Sequence, residues 1–312
     1  MPALLSTLSL GLLLASPARA TQVAFADGPC PVDPDDVVRV YEKLSANTHG
    51  GFDSDGANYS TKGQFRAYAV ATCARSLFSL YGGDMGMTLT DGDKARLLAA
   101  LVAARAALPD PANPTVWERY AIAAAMYEEL GRGDLFLADL WIEASWTARD
   151  EAVGVFMGLR GPQAARETLR LGEQELQKEL AASARKTLVY NLARVAHRGG
   201  YGAERDRWLA EFEALTPHSA EETAALARFR EIASKTEPAL QDKAIERLRA
   251  GLTQRELPAE TRMRSTYLLA DLLRRRGQPE QALGLYNAVL SDDKAPRELR
   301  ELALFLVGEL RG

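Results

Sequence analysis

The chain of 312 residues has only two cysteines and three histidines, and these scarcities exclude much chemistry at once. His49, His197 and His218 stand far apart, none in a paired metal-ligand spacing, so neither a zinc site nor a histidine-dependent nucleophile is expected. A phosphate-cradling glycine loop, a serine elbow and a thiolate motif are all missing, so no cofactor is expected. Neither sign of charge dominates: 38 Lys and Arg face 42 Asp and Glu, a net −4, which offers little to nucleic acid or to an anionic membrane surface. Beyond the N-terminus no apolar run approaches the ~20 residues that a membrane-spanning helix requires. Adjacent acids such as Glu128-Glu129, Glu221-Glu222 and Asp292-Asp293 diverge on helices and turns and make no acid-base pair.

What is present begins with an apolar run over residues 4–15, followed by Ser16-Pro17 and the small-x-small pattern Ala18-Arg19-Ala20. This reads as a secretory signal peptide spanning residues 1–20 and cleaved after Ala20, with Ala24-Phe25-Ala26 as a second cleavage pattern. The expected address is the periplasm or the exterior, an oxidising setting in which Cys30 and Cys73 pair without leaving an odd thiol. Such a bond closes a loop of about 44 residues, worth about 4 kcal/mol in the chain-entropy picture, and ties the N-terminal segment to a helix around residues 69–80. The alternative is that Cys73 is simply a small buried apolar residue.

Residues 21–90 are punctuated by Pro31, Pro34, Gly50-Gly51, Gly56, Gly82, Gly83 and Gly86, leaving room for two helices, at about 35–46 and 61–81. Between these lies a long glycine-rich loop, residues 48–60, of the kind that tends to be functional or mobile. Its Asp53-Ser54-Asp55-Gly56 stretch invites a calcium reading, but the register fails. With Gly56 at the invariant turn position, the first ligand position falls on Gly51 and the last on Lys62, so a polar turn is expected instead.

From Asp91 onward Ala, Leu, Arg and Glu dominate, and helical segments alternate with brief Gly or Pro breaks. One set of breaks falls at 131–134, 161–162, 199–202, 236–238 and 277–279; a second lies near 109–114, 150, 183, 217, 258 and 296. Spacings of about 30 to 41 residues within each set match a helix, a turn, a second helix and a linker. A shift of 38 residues superposes Ala244 on Ala282, Leu248 on Tyr286, Pro258 on Pro296, Arg262 on Arg300 and Leu268 on Leu306, an internal repeat.

The run Leu269-Ala270-(x2)-Leu273-(x3)-Gly277-(x4)-Ala282-(x3)-Tyr286 resembles one tetratricopeptide repeat, most clearly within residues 239–312, with weaker copies around Tyr120 to Gly131 and Leu192 to Trp208. Thr266 and Leu273 stand where the family has large aromatics. The resemblance implies an all-α fold, a right-handed α-solenoid of stacked antiparallel helix hairpins over residues 91–312, preceded by an irregular helical segment over 21–90. It also implies a concave groove lined by Arg264, Tyr267, Asp271, Arg274 and Arg275, and further on by Lys186, Val189 and His197. A basic groove of this kind suits an acidic peptide or a terminal carboxylate; the plainer alternative leaves Arg274-Arg275-Arg276 in water at the negative end of their own helix. Trp117, Trp141, Trp146 and Trp208 are expected mainly in packing between helices. The function expected is that of an exported, non-catalytic scaffold or adaptor that binds another protein through the groove. A glycan-acting enzyme of helical-toroid type and a structural subunit of an envelope or secretion complex are the alternatives.

Overall fold

The computed structural model describes residues 21–154 and 158–312, so the expected signal peptide lies outside the described residues. The chain is mostly helical, but its N-terminal part is not the irregular helical segment expected. Strands β1 (Gln22–Cys30) and β2 (Asp33–Ser45) form an antiparallel hairpin that sets Phe25 opposite Tyr41 and Asp27 opposite Arg39. Burial along β2 alternates, with Asp36 and Val38 inward and Val37 and Arg39 outward. Val37, Val38 and Val40 explain the change from helix to strand, because β-branched side chains are stiff in a helix and pack well on a pleated surface.

Two short strands, β3 (Gly51–Phe52) and β4 (Asn58–Tyr59), bracket the Asp53 to Gly56 turn. The second expected helix contracts to one turn, α1 (Arg66–Ala69), followed by a small hairpin of β5 (Val70–Thr72) and β6 (Ser79–Tyr81). Cys73 therefore sits on no helix. It bridges to Val38 of β2 and is joined to Cys30 by a disulfide, which sews the two hairpins together. Asp36 closes the same corner, accepting backbone N–H bonds from Val37, Arg75 and Ser76 at 2.8, 3.0 and 2.8 Å. With both sulfurs bonded to each other and the carboxylate saturated by amides, the Cys30, Asp36 and Cys73 cluster has no ligand atoms to offer a metal.

The helices then follow: α2 (Asp91–Ala106), α3 (Val116–Glu129) and α4 (Asp134–Val153), the two-residue β7 (Leu159–Arg160), α5 (Gly161–Leu176), α6 (Ala182–Gly199), α7 (Gly202–Ala214), α8 (Ala220–Glu231), α9 (Glu237–Leu252), α10 (Ala259–Arg275), α11 (Pro279–Ser291) and α12 (Arg297–Arg311). Capping boxes start α2, α3 and α8, where Thr90, Thr115 and Ser219 exchange bonds with Asp93, Glu118 and Glu222. Two expected breaks are absent. Asp150 lies inside α4, and residues 236–238 lie inside a helical stretch running without interruption from α8 into α9. There a π turn (Ile232–Thr236) carries the chain past Pro238, with the Glu237 N–H reaching back to the Ile232 carbonyl. The wider turn accommodates a proline ring that clashes with the carbonyl four residues earlier in a regular helix.

The 38-residue repeat has a structural counterpart: α9 and α10 recur as α11 and α12, and the prolines before α10 and α12 share their backbone angles, φ −53 and ψ 140 at Pro258 against φ −52 and ψ 139 at Pro296. Gly277 makes the intervening turn at φ +71, a conformation that L side chains resist. Helix α4 packs on α3 on one side and on α9 on another. It is buried nearly all round, with Leu137 and Leu140 in one apolar core and Ala138 and Ile142 in the second. The last helix returns to α5, where Arg166 donates to Glu309 at 2.6 Å and to Glu204 at 2.5 Å. β7 pairs in parallel with β3, and Gly51 at φ +87 lies so close to Leu159 that a Cβ there would stand 1.9 Å from the carbonyl oxygen. The N-terminal loop is thereby drawn in among the helices. Among the described residues no helix is long and apolar enough to cross a membrane.

Breaking the disulfide is expected to free a long loop and cost about 4 kcal/mol. The check is thermal unfolding of residues 21–312 with and without reductant, alongside Cys73→Ser; equal melting temperatures in all three would show that the bond constrains nothing.

Candidate functional site

Of the eight residues expected to line the groove, Val189 is instead buried in the apolar core, while five of the others come together, and what they hold is the chain's own Asp53-Ser54-Asp55 segment. Tyr267 donates its hydroxyl to the Ser54 carbonyl at 2.8 Å. The Ser54 hydroxyl donates to Asp271 Oδ2 at 2.9 Å and accepts from Arg274 Nη2 and Arg275 Nη2 at 3.0 and 2.9 Å. Asp271 is completed by Arg274 Nε, Arg275 Nε and the Tyr286 hydroxyl. His197, the fifth, contacts Glu237 through Nε2 at 2.7 Å, and Glu237 binds the arginine next to the loop.

The other two expected residues lie elsewhere. Lys186 caps the turn before α8, bonded to the Pro217 carbonyl and to Glu222, both at 2.7 Å. Arg264 is half exposed and pairs with Asp139; it reaches the rim of a cleft of about 460 Å³ that also touches Asp53, Ser54 and Asp55. The plainer reading of the arginine run holds only for Arg276, which lies partly in solvent against Asp242. Arg274 and Arg275 do meet a helix C-terminus, but that of α6: their guanidinium groups donate to the carbonyls of Arg198, Gly199 and Gly200 at 2.9, 3.1 and 3.1 Å. Four-residue carbonyl ends of this sort carry partial negative charge, so the arginines satisfy them and the loop together.

Three residues that the sequence did not single out complete the site. Arg149, with no exposed surface, spends five N–H bonds on Asp53, Asp55 and Glu237 at 2.6 to 3.1 Å, the full donor capacity of a guanidinium. Arg198 pairs with Asp53 Oδ1 at 2.8 Å and stacks 3.7 Å from the Tyr59 ring centroid, while the Tyr59 hydroxyl donates to Asp53 Oδ2 at 2.7 Å. The expected polar turn is thus a buried one. Its Asp-x-Asp-Gly pattern inside a long loop was the visible signal; that the loop runs inward was not.

Arg149, Arg198, Arg274 and Arg275 stand against Asp53, Asp55, Glu237 and Asp271, so the charges balance only with His197 neutral. Burial favours that neutral form, and Arg205 and Arg149 add to it against the pull of Glu237, so the imidazole titrates below its usual range. For Glu237 burial pushes the carboxyl up, but Arg149 and then His197 outweigh it and bring it down to about 2. Asp55 behaves the same way: burial is overcome by Arg149 and Arg275. Buried charges persist only when paired and hydrogen-bonded, because desolvation costs several kcal/mol per ion. The Ser54 hydroxyl has one acid and two arginines around it, on a residue 2 % exposed. A small cavity of about 200 Å³ meets the network where His197, Glu237 and Arg275 line it beside the π turn.

Compared with protein-family models, curated proteins and solved structures, the chain finds no significant match.

Two outcomes follow. Arg149→Met, which leaves three buried carboxylates short of a partner, is expected to cost roughly 3–5 kcal/mol; urea unfolding that moves by less than about 1 kcal/mol would show the network to be dispensable. The depressed carboxylates give the pH dependence: the unfolded chain takes up protons that the folded one refuses, so the contribution of Glu237 is full above about 4.5 and falls as pH drops toward about 2. His197 acts in the same direction below 6.5. Melting temperature should decline through this window and decline less steeply for Glu237→Gln, whereas a flat profile between pH 5 and 3 contradicts the assignment.

Proposed function

We propose that this is an exported, non-catalytic interaction protein: a right-handed solenoid of tetratricopeptide-like hairpins that works as a scaffold or adaptor in the cell envelope. The groove chemistry suits an acidic peptide, and the chain supplies that peptide itself. A partner is therefore met on another face.

The observation that carries this reading is the N-terminal hairpin. β1 has no strand partner on its outer edge among the described residues, and Phe25, Val37 and Leu44 are 59 %, 53 % and 61 % exposed beside it. Phe25 leads a row in which Tyr41 lies 6.0 Å away and Tyr68 a further 4.9 Å. An open strand edge with apolar side chains is a template for pairing with another chain, and proteins that must stay apart usually blunt it. The buried ionic network then has a mechanical role, fastening the hairpin module to the helices so that the edge is presented rigidly. A glycan-acting toroid would draw support from the return of α12 to α5, but it requires an open acidic pit, and the space inside the helices is filled by the 53–55 loop.

Placing a photo-crosslinking phenylalanine analogue at position 25 in the native host is expected to capture a discrete partner, and the same probe at Arg297 on α12 is not. Phe25→Lys should reduce co-purification of that partner at least tenfold with an unchanged melting temperature. Indistinguishable capture from the two positions would remove the hairpin from the mechanism.

A further inference from the structure

A cleft of about 620 Å³ lies between the N-terminal module and α4, in the range of small-ligand sites. It meets the ionic network at Tyr59 and is independent of the strand edge. Phe65, Tyr81 and Trp146 are part-buried rings in its lining, with Glu143 at one end and Ser60 near the other.

Three polar groups here are in an unusual state. Glu143 accepts from the Tyr120 hydroxyl at 2.9 Å and from the Tyr81 hydroxyl. Burial, assisted by Asp139, raises its carboxyl, against the opposing hydrogen bonds of the two phenols. Ser60 Oγ, on a residue 4 % exposed, and Trp146 Nε1 are both buried with no hydrogen-bond partner among the described residues. Native structures rarely leave such atoms orphaned, and both belong to residues that line the cleft. Arg66 crosses the lining with its charge already spent. It is bonded to Asp150 twice at 2.6 Å and stacked 4.7 Å from the Tyr59 centroid.

We propose that this cleft binds a neutral saccharide unit, with C–H faces of the ring against Trp146, Tyr81 or Phe65 and hydroxyls on Glu143, Ser60 and the Trp146 N–H. The electron-rich faces of aromatic rings suit polarised C–H groups, and the edge groups suit a ring of hydroxyls that both donate and accept. An anionic ligand has to approach the Glu143 carboxyl, and Arg66 in the lining is already paired with Asp150. A wholly apolar ligand leaves both orphaned atoms without partners. The site binds and does not cleave. Glycoside hydrolysis generally takes two carboxyl groups flanking the bond, whereas Glu143 is the one acid in the lining and Asp150 is withdrawn onto Arg66.

The test uses the oxidised mature chain, residues 21–312, on an array of defined glycans, followed by calorimetric titration with the best neutral oligosaccharide and with an N-acetylglucosamine tetramer. Saturable binding is expected, accompanied by a change in tryptophan emission. Glu143→Gln and Trp146→Phe should each weaken it at least tenfold at unchanged melting temperature. Because Glu143 also orders Tyr81 and Tyr120, Ser60→Ala serves as a second probe that leaves that cluster intact, and it should weaken binding several-fold. The proposal is overturned if no glycan binds the folded protein, if Trp146→Phe and Ser60→Ala bind as the parent does, or if a simple primary amine occupies the cleft in preference to sugar.

Discussion

Arg149 holds the molecule together where it has least access to water. Its guanidinium joins Asp53 and Asp55 of the N-terminal loop to Glu237 at the start of α9, so a single side chain on the central helix fixes two segments that are remote in sequence. A buried cation in this position is tolerable only because every N–H has an acceptor and the acceptors are themselves held, Asp53 by Arg198 and Tyr59, Glu237 by His197 and Gln241. The loop cannot leave without taking Asp53 and Asp55 from Arg149 and Arg198 and Ser54 from Arg274 and Arg275, and the helices cannot spread without stranding the loop's carboxylates. The two parts therefore form one cooperative body even though they differ in composition and secondary structure.

This arrangement changes what a helical groove is for. Positions that would grip a foreign peptide are occupied by Tyr267, Asp271, Arg274 and Arg275 acting on Ser54, and the same arginines close the C-terminal end of α6. Recognition chemistry has become internal structure. The surfaces proposed to meet other molecules lie on the N-terminal module, at its open strand edge and in the aromatic cleft where it meets α4. The π turn before Glu237 belongs to the same design: it admits Pro238 without ending the helix and sets Glu237 beside both Arg149 and His197.

Much of the helical half was legible from residues close to one another. Glycines at the turns, the prolines before α10 and α12, and the Thr90, Thr115 and Ser219 caps act within one turn of backbone, and the 38-residue echo follows from the same local rules repeated. It was the tetratricopeptide resemblance that grouped Tyr267, Asp271, Arg274 and Arg275 as one lining, and their helical spacing agrees with a shared face. What they face was not readable.

Whether Val37, Val38 and Val40 lie in a strand depended on β1 and on Cys73 being alongside, and whether Asp53 to Asp55 lie in water depended on partners very far off in the chain. Ser54 and Arg275 are separated by 221 positions, Asp55 and Arg149 by 94. Local sequence specifies where a helix starts, turns and shows its apolar side, because those energies arise within a few residues. The burial of an ion is specified by the counter-charge that reaches it, and only the folded chain brings that counter-charge near.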